Sequence, residues 1–132
     1  MGLLPNAQKR VSTLIYLCSV YSLDATTDSE ADQAMRNKRY EYVLARTAEM
    51  MKKGEIVFSP IVHCHEMAIK HDLPKTYEFW SKYDREMINR ADEVWVLCMP
   101  GYKESRGITD ELKMAEELGK PVIFISTYDY FE

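Results

Sequence analysis

Apolar residues fall into four short continuous runs, separated by longer stretches in which they recur every three or four positions. The runs cover residues 13–20 (TLIYLCSV), 56–58 (IVF), 91–99 (centred on Val94, Trp95, Val96 and Leu97) and 122–125 (VIFI). Unbroken runs of this length suit strands buried on both faces of a parallel sheet. Between them the period lengthens. Residues 29–53 predict a long helix stopped by Gly54, with Met35, Val43, Ala45, Met50 and Met51 available to cover a sheet. Residues 76–90 predict a second, with Phe79, Trp80, Tyr83, Met87 and Ile88 in steps of three and four. A third starts near Ile108, buries Ile108, Leu112, Ala115 and Leu118, and stops at Gly119 and Pro121. Ser59-Pro60 closes the second strand, and residues 61–75, with His63, Cys64, His65 and His71, read as loop plus a short helix through Met67 and Ile69. Residues 1–12 read as a mobile leader, and residues 127–132 as an aromatic, acidic tail.

Strands alternating with helices imply parallel βαβ units joined by right-handed crossovers. The expected fold is α/β, a flavodoxin- or Rossmann-like three-layer sandwich with a parallel sheet of about four to five strands, formed by residues 1–132 as one domain. A flavodoxin-like order sets the first strand beside the second and third. Ser19 and Tyr21, at the exit of the first strand, would then face the 101–111 loop across the switch point, where ligands of open α/β sheets bind.

Composition narrows the partners. A formal charge of −4 excludes the basic footprint of a general nucleic-acid binder, although a small phosphorylated ligand stays compatible. No run is apolar enough to span a bilayer and the first ten residues lack a signal-peptide core, so no membrane partner and a cytoplasmic location are expected. Cys18, Cys64 and Cys98 show no paired spacing and read as reduced thiols, two of them packed as small hydrophobes.

Two carboxylates carry the candidate chemistry. Glu111 falls in the first turn of the third helix, where the macrodipole favours an ionised acid. First-turn acids often do no more than complement the helix; the glycine-bearing loop before this one, at the edge of the central strand, favours a functional role. Asp84 lies beside the apolar stripe of the second helix, either solvated or directed along the sheet edge. If both faced one cleft, a paired-carboxylate reaction at a glycosidic bond would follow. Ser105, Arg106 and Gly107, with Lys103 nearby, form an anion-friendly turn or an ordinary solvated one. Arg36 and Arg39 could each reach a phosphate. There is neither a P-loop nor a dinucleotide fingerprint, and His63, Cys64 and His65 lack a recognised zinc spacing, so no cofactor and no metal are expected.

The order Tyr16-Leu17-Cys18, then Phe58 to Ile61 (Phe-Ser-Pro-Ile), Phe79-Trp80 with Asp84, and Ser105-x-Gly107-x-x-x-Glu111 resembles the nucleoside 2-deoxyribosyltransferase superfamily, and within it a domain family of uncharacterised bacterial and phage proteins. The likeness runs from Leu14 to Ile125. The 2′-deoxynucleoside 5′-phosphate N-hydrolases of that superfamily are similar in the same places. The resemblance implies that Glu111 is the nucleophile, Ser105 a phosphate contact, Asp84 a carboxylate on the sugar and base side, and Tyr16 the first-strand tyrosine. Those hydrolases carry an Arg shortly after the first strand, where this chain has Ser22; Lys103, Arg106 or Arg36 could substitute.

The implied activity is double displacement at C1′ of a nucleoside or nucleoside 5′-monophosphate, with Glu111 and Asp84 catalytic and Tyr16, Ser19, Tyr21, Ser105, Arg106 and Gly107 binding substrate. Water as the second acceptor makes a hydrolase, and a second base a transferase. A homo-oligomer, dimer or larger, is also implied. The alternative is a non-catalytic module that binds a nucleotide-derived ligand on the same fold.

Overall fold

A computed structural model of the protein describes residues 12–21, 29–74 and 76–132. The expected leader, the loop after the first strand and the Ser22 position lie outside these, Ser12 excepted. Four strands, β1 Leu14–Cys18, β2 Ile56–Phe58, β3 Glu93–Leu97 and β4 Val122–Ile125, form one parallel sheet in the order β2-β1-β3-β4. Helices α1 Glu30–Lys52, α2 Pro60–Lys70, α3 Tyr77–Arg90 and α4 Arg106–Glu117 connect them. The fold is the expected α/β class. The chain leaves β1 toward one edge and returns across it to β3, so right-handed crossovers put α1 and α3 on opposite faces. Accordingly α1 packs on α2 and β2, and α3 on α4 and β1.

The core explains the unbroken strand runs. Ile15, Tyr16, Leu17 and Cys18 on β1 and Val94, Val96 and Leu97 on β3 are buried from both sides, closed by Val43 and Met50 of α1, Ile88 of α3 and Ile108 and Ala115 of α4. Each large side chain removed from water stabilises the fold by roughly 1.5–3 kcal/mol. Register pairs Tyr16 with Val94 and Cys18 with Val96, so Tyr16 and Cys18 lie on one face of the sheet.

Three expectations need correction. Residues 60–70 are one regular helix rather than loop plus a short helix: the Ser59 hydroxyl accepts from Val62 N–H, and Pro60 sits where its missing N–H is harmless. α4 begins at Arg106, not Ile108, because Ser105 is its N-cap, accepting from Ile108 N–H at 3.2 Å; Arg106 and Gly107 are its first turn. The aromatic stripe of α3 is only partly a core face. Ile88 is buried, but Tyr77, Phe79 and Tyr83 are exposed.

The tail is fastened by contacts distant in sequence. Arg39, almost completely buried on α1, pairs with Glu132 at 2.8 Å and donates to the Tyr21 carbonyl at 3.3 Å. Tyr130 packs into the core, its ring 4.6 Å from that of Tyr42, while the Thr127 hydroxyl donates to the Cys98 carbonyl at 2.6 Å.

Candidate active site

At the β1/β3 switch point α3 and α4 cover one face of the sheet, and each contributes a carboxyl. Capping at Ser105 places Glu111 in the second turn of α4, on its buried side with Ile108, Met114 and Ala115. The Tyr16 hydroxyl donates to Glu111 Oε2 at 2.5 Å. The Cys18 thiol, on the same face of β1 as Tyr16, is buried and its ionisation is opposed by Glu111. From α3, the Asp84 carboxyl acts on Tyr16 and Glu111 through its charge, and its Oδ1 is buried without a hydrogen-bond partner.

Electrostatics corrects the expectation that Glu111 is simply ionised. Burial raises its carboxyl to about 8, with the Asp84 charge adding to the shift and the Tyr16 hydroxyl and Cys18 thiol opposing it. The macrodipole weakens beyond the first turn and does not offset this desolvation. Burial also raises Asp84, to about 6, with the Tyr16 hydroxyl opposing the shift. Two carboxyls this close titrate as a pair, which near neutrality holds one proton. Desolvation first, then the nearby carboxyls, push the Tyr16 phenol and the Cys18 thiol well above their ordinary values, so both stay protonated donors. One neutral acid beside one carboxylate, in a dry site, is suited to nucleophilic attack with protonation of a leaving group.

The other expected site residues divide. Ser105 is buried and its hydroxyl is engaged in capping; Arg106 and Gly107 are exposed on the first turn of α4. Ser19 is buried at the β1 exit with its Oγ unpaired. Tyr21 turns away from the 101–111 loop, its hydroxyl 2.6 Å from His65 Nδ1 on α2, and this replaces the expected contact across the switch point. His65 in turn stacks on Tyr40 at 4.0 Å, and His63 stacks on Phe58. Among the described residues no cluster of three or more His, Cys, Asp or Glu side chains could hold a metal ion. Sequence reasoning named Cys18 and Arg39 but not their surroundings: Cys18 beside Glu111 and Arg39 buried against Glu132 depend on residues far along the chain and had no local signal.

An open cleft of about 490 Å³ lies at the carboxyl ends of β3 and β4, between the 98–104 loop and residues 126–130. Glu111 does not line it. Gly101, at φ 86°, gives the loop the left-handed turn that begins this wall.

Comparison with known proteins agrees with the architecture. Residues 13–127 match the model of a family described as a domain of unknown function, DUF1937. No curated protein matches. Among solved structures, a 2-deoxyribosyltransferase from the psychrotolerant bacterium Bacillus psychrosaccharolyticus is similar, with a TM-score of 0.52 and 24% identity over 90% of this chain and 76% of that one. At that identity the likeness is one of fold. No described helix is long and apolar enough to cross a membrane.

Proposed function

The chain belongs to the DUF1937 family, and from that position we propose that it cleaves or transfers at the N-glycosidic bond of a (deoxy)nucleoside or nucleoside 5′-monophosphate. The observation that carries this reading is the buried Glu111 carboxyl held by the Tyr16 hydroxyl, with the Asp84 charge acting on it. In the productive state Glu111 is charged and Asp84 carries the proton. Glu111 attacks C1′, the C1′–N bond breaks, and the Asp84 proton goes to the departing base. A glycosyl ester on Glu111 results. Water or a second base then attacks C1′, Asp84 takes back a proton, and the Glu111 carboxylate is released. The charge on Glu111 also stabilises the oxocarbenium-like transition state.

Ser19 and Ser105 frame the β1 and α4 sides of the site, and Arg106 and Gly107 lie at the helix start, where an anion such as a 5′-phosphate is favoured. Incubating the protein with a panel of nucleosides and nucleoside monophosphates and following free base by chromatography tests the proposal. Glu111→Ala should abolish turnover without loss of fold. Absence of base release or exchange from every substrate by folded protein refutes the enzyme reading.

A binding module is the second reading, favoured by one observation: a carboxyl raised to about 8 rests as a neutral acid, which can hold a ligand without attacking it. Saturable nucleotide binding with no product, insensitive to Glu111→Gln, would establish it. Residues 1–132 are further proposed to form one domain that self-associates, supported by exposed Tyr77, Phe79 and Tyr83 on α3. A monomeric mass at every concentration in light scattering overturns the self-association.

A further inference from the structure

The sheet ends at β4, and among the described residues no strand pairs with its outer edge. The ladder fixes which backbone groups that edge offers. Val94 N–H donates to the Pro121 carbonyl at 2.9 Å and Cys98 N–H to the Ile125 carbonyl at 3.0 Å, so residues 121, 123 and 125 turn their backbone groups toward β3. Alternation leaves the N–H and C=O of Val122 and Phe124 pointing outward. The devices that ordinarily blunt such an edge are missing. Residues 121–127 (PVIFIST) carry no charge, the β3–β4 register runs without a bulge, and Pro121 lacks an N–H on the inner side only. Both faces are open as well: Ile123, in line with Trp95, and Phe124, in line with Val96, point to opposite sides and are 38% and 55% exposed.

We propose that β4 is the seam of a homodimer, pairing antiparallel with β4 of a second copy about a two-fold axis at Ile123, so that the two sheets continue as one. This rests on the self-association proposed above and gives it a surface apart from α3. The edge is its own complement. Antiparallel partners exchange hydrogen bonds between residues whose backbone groups both point outward. With Ile123 opposite itself, Val122 faces the partner's Phe124 and Phe124 the partner's Val122, and every outward N–H meets an outward carbonyl. On one face Ile123 packs on the partner's Ile123. On the other, Val122 packs on the partner's Phe124, and Tyr102, its ring 6.3 Å from that of Phe124, widens the apolar contact. Charge agrees with the direction. Antiparallel pairing sets Lys120, just before the strand, across from Ser126 of the partner subunit and near the half-exposed Asp129 of the partner subunit, whereas parallel pairing would set the two Lys120 side chains together.

Ile123→Cys reads the register, in a Cys98→Ser background that removes the half-buried native thiol. Directly opposed residues of a non-hydrogen-bonded antiparallel pair have Cα atoms about 4.5 Å apart, within reach of a disulfide. Mild oxidation should therefore give a covalent dimer of Ile123→Cys. Phe124→Cys is offset from itself by two residues, roughly 8 Å between Cα atoms, and should stay uncrosslinked.

Light scattering over a wide range of concentration should show a dimer. Phe124→Pro removes one outward N–H from each copy without touching the ladder to β3, and should raise the dissociation constant about tenfold or more through two lost hydrogen bonds. Ile123→Lys, which opposes two ammonium groups across the axis, should do the same and keeps the test open should the proline variant fail to fold. A protein monomeric at every concentration, its edge empty or covered by another segment, overturns both the pairing and the self-association. A dimer that survives these variants and does not crosslink at residue 123 overturns the pairing alone, and crosslinking at 124 instead of 123 overturns it through the register.

Discussion

Replacing Glu111 with Gln should stabilise the protein in alkali, although it removes the candidate nucleophile. The unfolded chain releases the Glu111 proton near the ordinary value of 4.5, and the folded chain only near 8. Between these values the folded state holds more protons, so its stability falls as pH rises and the loss is complete above about 8. At about 1.4 kcal/mol per pH unit the full gap corresponds to at most ~5 kcal/mol, and coupling to Asp84 reduces what belongs to Glu111 alone to about 3–5 kcal/mol. Gln keeps the shape and an acceptor for Tyr16 but has no charge to bury. Glu111→Gln should therefore match the native protein near pH 4.5 and exceed it increasingly toward pH 8.5, with a difference in Tm on the order of 10 °C for a domain of this size. Thermal unfolding of both proteins across that range measures it, and subtraction cancels groups common to the two. A constant difference, or a native protein that is the more stable of the two at pH 8.5, refutes a Glu111 held neutral by burial.

Three further outcomes follow from the same geometry. Turnover should depend on pH as a bell with limbs near 6 and 8, because below the first both acids are protonated and above the second neither is; a profile rising steadily to pH 9 on nucleosides contradicts the shared proton. Ser105→Ala should cost about 1 kcal/mol in urea unfolding by leaving an N–H of α4 unsatisfied, and no loss would mean the cap is replaceable. Arg39→Ala should cost about 2 kcal/mol or more through lost packing of its buried stem and of the Glu132 pair, and Glu132→Gln should cost less than Arg39→Ala; the opposite order would place the energy in the tail.

The strands were legible because a parallel strand buried on both faces has little choice but to be apolar throughout, as Ile15 to Cys18 and Val94 to Leu97 are. Strand order followed from the flavodoxin-like pattern, which sets β1 between β2 and β3 as observed. α2 was obscured because His63, Cys64 and His65 break the apolar period and because Ser59-Pro60, read as a strand stop, is also a helix start. α4 was begun too late since Gly107 looks like loop although it sits in a regular first turn. Periodicity placed Phe79 and Tyr83 on one side of α3, but a stripe does not say whether anything covers it. For the candidate site, Asp84 and Glu111, singled out by their order with Ser105, come within electrostatic reach of one another in the fold. The raised carboxyls did not show, because desolvation depends on what lies above a side chain in space, and Cys18 and Arg39 owe their roles to residues 93 positions away.

Fastening of the tail bears on how a minimal version of this protein is to be cut. The family match ends at residue 127, and the last strand at Ile125, so either boundary looks like a natural place to stop. A fragment ending there keeps every described helix and strand but loses Tyr130 from the core and takes from the buried Arg39 guanidinium its Glu132 partner. The unit that must stay together extends through Glu132, set by a buried charge rather than by the ends of regular structure.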